Sequence, residues 1–119
     1  MLMNDFYTYR EAHNGDHSFS CRIIFNEHHD IFKGHFPGQP VVPGVCMMEM
    51  VKEFLQQATG RQLWLRNAGN VKFLQLITPD VQPEIIINWK ESEGGFSVNA
   101  SFKSEAYDLF KLSGSFEEC

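Results

Sequence analysis

The sequence predicts an α+β domain in which one long helix is accompanied by an antiparallel sheet. One run with helical periodicity covers residues 45–59, and the other apolar runs are short and bounded by glycine, proline or asparagine. No helix separates the later strand-like runs, so we expect neighbouring strands to pair antiparallel. A chain of 119 residues has room for one core, and we treat residues 1–119 as a single domain.

The first element is predicted to be a β-hairpin. Residues 7–12 and 18–25 flank Asn14 and Gly15, a dipeptide that suits a tight turn with positive φ. In the second run, apolar side chains recur at every second position: Phe19, Cys21, Ile23 and Phe25. This period is typical of a strand with one buried face. Residues 27–34 predict a short irregular or helical turn.

The long helix has recognisable boundaries. Pro43 and Gly44 precede it, and Gly60 stands where a left-handed C-terminal residue is expected. Its first two turns are apolar nearly all round, which predicts a sheet wrapped around this part. Later turns carry polar side chains that we expect to face away from the core: Lys52, Glu53, Gln56 and Gln57. Strand-like runs follow at residues 63–65, 70–76, 84–90, 96–102 and 109–116.

Composition excludes several classes of function. The net charge of −5 argues against nucleic acid as the main partner. No apolar stretch approaches the ~18 residues that span a membrane, and the N-terminus has no signal-peptide pattern. Three cysteines without metal-ligand spacing indicate a reducing cytoplasm. Residues 27–30 hold two carboxylates and two histidines, but adjacent side chains diverge, so we predict no metal site there.

Residues 34–45, GHFPGQPVVPGV, form the most informative segment of the chain. Three prolines and three glycines in twelve residues predict a stiff loop of individual shape. This loop carries His35 toward the start of the long helix, and Glu49 follows 14 positions later, one turn into that helix. A loop histidine and a helix carboxylate are the groups that general acid–base chemistry needs.

This segment, followed by Glu49, resembles the active-site motif of the hot-dog-fold β-hydroxyacyl-acyl-carrier-protein dehydratases of type II fatty acid synthesis. The likeness covers roughly residues 18–116 and includes residues 71–73 and 78–80, which resemble a strand and turn of that family. It implies a single hot-dog domain, in which an antiparallel sheet wraps one central helix. It also implies His35 and Glu49 as the catalytic pair, no cofactor, and a substrate carried on the phosphopantetheine of an acyl carrier protein.

In such a dehydratase a neutral His35 takes the C2 proton of a 3-hydroxyacyl thioester. Glu49 hands a proton to the leaving hydroxyl if Met47, Met48 and Met50 enclose it, whereas periodicity alone places it on a solvated stripe with Lys52 and Glu53. The N–H groups of Gly44 and Val45 stabilise the enolate-like thioester oxygen at the positive end of the helix dipole. By resemblance, Gly44 is the stronger candidate of the two.

The expected partners follow from the same resemblance. A single hot-dog sheet leaves edge strands open, so we expect a homodimer or a trimer of dimers, with His35 of one chain facing Glu49 of the other. Cations that could dock an acidic carrier protein are Arg61, Arg66, Lys72 and Lys33. Glu53 stands where the family usually has glutamine. An acyl thioesterase of the same fold and a non-catalytic carrier-binding subunit remain the alternatives, and the pathway is fatty acid or related lipid or polyene biosynthesis.

Overall fold

The computed structural model describes residues 1–33 and 38–119, which form a six-stranded sheet of strand order β1-β2-β4-β5-β6-β3. Every pair of neighbouring strands is antiparallel, which confirms the sequence prediction. The elements are β1 Tyr7–Gly15, β2 Ser18–Phe25, α1 Asp30–Lys33, α2 Gly44–Thr59, β3 Leu63–Phe73, β4 Glu84–Ser92, β5 Gly95–Lys103 and β6 Asp108–Glu118. No helix in these ranges has the length and apolar character needed to cross a membrane.

The turn of the first hairpin lies two residues later than predicted. Gly15 pairs with Ser18 and Asn14 with Phe19, so Asp16 and His17 make the turn, and His17 adopts the positive φ of 58°. The predicted turn at Asn14 and Gly15 is therefore wrong. A strand register is selected by the side chains that must face the core, and alternating burial along Ser18–Phe25 sets that register here.

β3 is one strand where the sequence predicts two separate runs. Its pairing with β6 continues from Leu63 to Phe73, with irregular register on either side of Asn67. The polar middle of β3 is exposed, so its hydrogen bonds to β6 hold it in the sheet without a buried face. The C-terminal part of the second predicted run, residues 74–76, lies beyond the strand.

α2 begins and ends where the sequence predicts, within one residue. Pro43 precedes it in an extended conformation, and Gly60 closes it with a φ of 73° and an N–H donated to the Gln56 carbonyl at 2.8 Å. The helix packs onto the sheet through an aromatic cluster in which the Phe54 ring lies 5.1 Å from Phe19 and 5.2 Å from Tyr9. Stacked and edge-on contacts of this kind stabilise cores beyond their buried area.

The prediction that Glu53 faces away from the core is wrong. Its side chain is 1% exposed, and it is the one buried charged residue among those that the structure describes. The helical period does place Glu53 near the stripe of Glu49 and Lys52, but the N-terminal residues of the chain cover it.

Candidate active site at the start of helix α2

The N-terminus of α2 opens into an apolar cavity of about 320 Å³. The cavity lies between the loop before the helix and the segment that follows β3. Its lining residues are Val41, Val42, Pro43, Gly44, Met47, Phe73, Leu74, Gln75, Leu76 and Ile77. The Val42 N–H donates to the Ile77 carbonyl at 2.7 Å, which ties the two walls together. Apolar walls with a few polar groups are usual for a small-molecule site.

Two backbone donors lie at the start of α2, where Gly44 lines this cavity. The N–H groups of Cys46 and Met47 both reach the Pro43 carbonyl, at 3.0 and 3.3 Å. Within residues 1–33 and 38–119, the N–H groups of Gly44 and Val45 make no hydrogen bond, and α2 has no side-chain cap. The start of a helix carries the positive end of its dipole, so this arrangement suits an oxygen with developing negative charge.

Gly44 is in close contact with the ring of Phe73. A Cβ built on Gly44 would lie 2.3 Å from Cε1 and 2.6 Å from Cζ of that ring, so any larger residue there has to displace it. Phe73 is 59% exposed and its ring packs against that of Phe110, with ring centroids 5.2 Å apart. The sequence pattern accounts for Gly44 as the residue before a helix, whereas the contact with Phe73, which no local pattern indicates, is a second reason for the small side chain.

Glu49 is partly exposed on the first turns of α2. Its side chain is 40% exposed, and its Oε1 lies 3.4 Å from the ammonium group of Lys52. Met47 and Met50 are buried in the core, whereas Met48 is only partly buried. Successive residues of a helix point about 100° apart, so these methionines lie on other faces and do not surround the carboxylate. Of the two alternatives for Glu49, the single chain therefore shows the partly solvated carboxylate beside Lys52 and not enclosure by the methionines.

His35 lies outside the described residues, so its pairing with Glu49 stays a prediction. The chain reaches it from α1, whose last residue is Lys33 and whose Phe32 is buried in the core. The structure thus brings Gly44, Val45 and Glu49 onto the first turns of one helix, next to the cavity.

His29 has a structural role in this chain. Its Nδ1 accepts the Ile31 N–H at 3.1 Å, so Nε2 carries the proton and faces Oδ2 of Asp5, also at 3.1 Å. The ring packs edge-on against Phe6, with centroids 5.3 Å apart. In the described ranges, no group of three or more histidine, cysteine, aspartate or glutamate side chains has the geometry of a metal site.

Three of the four cations predicted to dock a carrier protein are paired within the chain. Arg61 lies 2.9 Å from a Glu118 oxygen and Arg66 lies 3.6 Å from a Glu117 oxygen. Lys33 is 3.6 Å from Asp30 of the same short helix. For Lys72, on β3, no ion pair is found within the part of the chain that the structure describes.

An apolar surface adjoins the cavity. Val45 on α2 is 73% exposed and Leu76 is 80% exposed, and Phe73 and Leu74 complete this surface. It borders β3, which is hydrogen-bonded to β6 on one side and forms an end of the sheet on the other. Contiguous exposed apolar side chains of this kind mark contact surfaces more often than solvated ones.

Comparison with known proteins places the chain among dehydratases. A family model described as "ApeI dehydratase" (ApeI-like) matches residues 11–109. The 3-hydroxyacyl-[acyl-carrier-protein] dehydratase FabZ of Clostridium acetobutylicum is 34% identical over 64 residues, which are 48% of this chain and 44% of that protein. FabZ of Wolbachia pipientis wMel is 38% identical over 64 residues, covering 48% and 43%. The chain thus spans half or less of the length of the curated relatives it matches.

Solved structures share the fold over nearly the whole chain. The dehydratase heterocomplex ApeI:P from Xenorhabdus doucetiae matches with a TM-score of 0.78 and 21% identity, covering 94% of this chain and 98% of the matched one. An uncharacterised protein from Erwinia carotovora subsp. atroseptica matches with a TM-score of 0.62 and 20% identity, covering 92% and 90%. These matches confirm the predicted hot-dog fold.

Proposed function

Because this chain belongs to the ApeI-like dehydratase family, we propose that it removes water from (3R)-3-hydroxyacyl thioesters of acyl carrier protein and releases trans-2-enoyl thioesters. The observation that carries the proposal is the pair of Gly44 and Val45 N–H groups at the start of α2, which make no hydrogen bond within residues 1–33 and 38–119. Gly44 also lines the apolar cavity, and both residues lie about one turn before Glu49. The cavity suits an acyl chain, and the two donors suit its thioester oxygen. The product would serve fatty acid or related lipid or polyene biosynthesis.

The proposed chemistry starts at C2 of the substrate. Neutral His35 takes the C2 proton, and the electrons move onto the thioester oxygen, which accepts hydrogen bonds from the Gly44 and Val45 N–H groups. When the double bond forms between C2 and C3, the C3–O bond breaks and protonated Glu49 supplies the proton that turns the leaving hydroxyl into water. His35 has then gained one proton and Glu49 has lost one, and solvent returns both groups to their starting states.

We propose that a second chain completes this site. The exposed Val45 lies one turn before Glu49 on α2, and the neighbouring Gly44 contacts the exposed Phe73, so a partner that packs on this surface would cover the start of α2 near the carboxylate. Enclosure is what favours the protonated form that the mechanism requires. A homodimer, or a trimer of dimers, would bury this surface and cover the outer edge of β3. The heterocomplex of the Xenorhabdus doucetiae dehydratase is consistent with assembly of this fold into larger units.

Product analysis with a 3-hydroxyacyl thioester of acyl carrier protein tests the proposal. Formation of the enoyl thioester supports dehydration, free acid would indicate a thioesterase, and no turnover with verified carrier binding would indicate a non-catalytic subunit. His35→Ala and Glu49→Gln are each expected to lower kcat by about 10²–10⁴-fold, the usual contribution of a positioned acid or base. Exposed residues provide the matched controls His13→Ala and Glu105→Gln, which are expected to retain wild-type turnover. Near-normal turnover by folded His35→Ala would refute the mechanism.

A further inference from the structure

The buried carboxylate of Glu53 holds the N-terminal segment of the chain, residues 1–6, against helix α2. Its Oε2 accepts the Leu2 N–H at 2.8 Å, and its Oε1 accepts the Met3 N–H at 2.8 Å and the Tyr7 hydroxyl at 3.1 Å. Burial and the neighbouring Glu53 charge raise the pKa of Tyr7, so its hydroxyl stays a donor. A buried charge is stable only when hydrogen bonds replace its hydration, and three donors do so here.

The N-terminal segment is itself compact and tied to the following strand. The Phe6 N–H donates to the Leu2 carbonyl at 2.7 Å, and the Asn4 N–H donates to the Tyr7 carbonyl at 2.7 Å. The Asn26 N–H donates to the Phe6 carbonyl at 2.8 Å, which joins the segment to the end of β2. Glu53 therefore anchors a folded unit and not a loose end.

Phe6 connects the N-terminal segment to helix α1. Its ring is fully buried and stacks on Phe32 with centroids 5.0 Å apart and an interplanar angle of 26°. The Asp5–His29 contact at 3.1 Å fastens the segment to the residue just before α1. His35 lies two residues beyond Lys33, the end of this helix. Contacts thus run from Glu53 on α2 through Phe6 to the helix from which the chain continues to His35.

We infer that Glu53 is a positioning residue for the proposed dehydration: it sets where α1, the helix that precedes His35 in the sequence, stands relative to Glu49. The inference rests on the proposed function of His35 and Glu49. Glu53 is one turn beyond Glu49 on the same helix, so the residue that holds α1 and the proposed acid belong to one rigid element. Packed helices and closely spaced hydrogen bonds supply the rigidity that catalytic geometry requires.

Glu53→Gln is the sharpest substitution for testing this role. Glutamine has nearly the same shape, but it offers one acceptor oxygen and one NH₂ donor where Leu2 and Met3 each require an acceptor. One backbone N–H then faces another donor, and the N-terminal segment is released from α2. Leu112→Ala is the matched control, because Leu112 is equally buried but lies on β6, where it pairs with Ala100 of β5 and Val71 of β3.

The experiment combines kinetics with hydrogen–deuterium exchange on the full-length protein. We expect Glu53→Gln to lower kcat by about 10²-fold, the effect of a misplacement near 1 Å, with KM changed by less than about threefold. Exchange is expected to rise in residues 1–7 and 26–33 and to stay unchanged in residues 95–103. Each variant is assayed at the same number of degrees below its own melting temperature. Under these conditions Leu112→Ala is expected to keep kcat within about threefold of wild type. In a Phe6→Leu background, Glu53→Gln is expected to add little further loss.

Two results would overturn the inference. Unchanged exchange in residues 26–33 of Glu53→Gln would show that Glu53 does not hold α1, whatever the activity. A kcat loss no larger than that of Leu112→Ala would make Glu53 a residue of general stability. If the wild-type protein fails to dehydrate any 3-hydroxyacyl thioester, the proposed function falls, and the exchange result still decides whether Glu53 holds α1. Should Glu53→Gln not fold, Tyr7→Phe removes one donor of three and is expected to affect the same peptides less.

Discussion

Replacing Gly44 by alanine tests whether the contact between this glycine and Phe73 shapes the site. The new Cβ would lie 2.3 Å from Cε1 of Phe73, whereas ordinary contacts of a Cβ begin near 3.4 Å. The ring must therefore move by about 1.1 Å, the difference between 3.4 and 2.3 Å, or the first turn of α2 must move instead. Either movement changes the geometry between the cavity wall and the Gly44 N–H.

The expected effect on stability is small and the effect on activity is large. Phe73 is 59% exposed in the single chain, so within one chain its ring can rotate away from α2. Overpacking costs about 1–3 kcal/mol, with the low end expected for an exposed ring, and alanine favours a helix over glycine by up to about 1 kcal/mol. We expect a free energy of unfolding within about 1 kcal/mol of wild type. A misplacement of about 1 Å lowers turnover by about 10²-fold, and we expect kcat/KM to fall accordingly.

Urea unfolding and steady-state kinetics measure the two effects. Gly69→Ala is the matched control, because a Cβ there meets only the Ser113 carbonyl oxygen, at an ordinary 3.6 Å. The double variant Gly44→Ala/Phe73→Leu is expected to be nearly as active as the single variant Phe73→Leu, because the shorter leucine side chain removes the clash with the new Cβ. The reasoning is refuted if Gly44→Ala turns over like Gly69→Ala. It is also refuted if the leucine gives no recovery.

Three further predictions concern pH, assembly and docking. Burial raises the pKa of the Cys21 thiol to about 12 from 9.0, so the folded chain keeps a proton that the unfolded chain loses. The free energy of unfolding should therefore fall between pH 9 and 12, by up to about 1.4 kcal/mol per pH unit. In Cys21→Ala the fall should be less steep. Mixing inactive His35→Ala with inactive Glu49→Gln should restore about a quarter of wild-type activity after random subunit exchange, because half of the dimers are mixed and each has one intact site. A mixture that stays inactive despite verified exchange would place both residues in one chain's site. Lys72→Glu should raise KM for a carrier-linked substrate more than Arg61→Glu does, because Arg61 already pairs with Glu118 within the chain. Neither variant should change KM for a short pantetheine-like substrate. Equal losses with both substrates would contradict a docking role.

Local sequence patterns predicted most of the fold. The period of the long helix, its glycine C-terminus and the alternation along β2 depend on residues close together in the chain, and all three are confirmed. The hairpin turn was misplaced because Asn14 and Gly15 suit a turn locally, while the register follows from which side chains face the core. The extent of β3 was underestimated for a similar reason, since its polar middle is held by hydrogen bonds to β6.

The candidate site could be predicted in part. A short motif and its spacing pointed to His35, Gly44, Val45 and Glu49, and the structure places the last three on the first turns of α2. For Glu49 the sequence left open both enclosure by methionines and a solvated stripe, and the single chain shows a partly exposed carboxylate, because neighbouring methionines in a helix point in other directions. The surroundings of this carboxylate depend on which surfaces come together, and the pattern of one helix carries no information about them.

The sequence by itself determined the succession of a hairpin, one long helix and further strands, the bounds of that helix and the chemical groups placed near its start, because periodicity and short motifs act over a few residues. Only the tertiary structure decided that Glu53 is buried and that Phe73 covers Gly44. The hydrogen bonds of Glu53 join residues 51, 50 and 46 positions apart, so no local pattern records them. A polar side chain on a helix is buried or exposed according to which distant donors the fold brings to it, and here those donors are two backbone N–H groups and a tyrosine hydroxyl from the first seven residues.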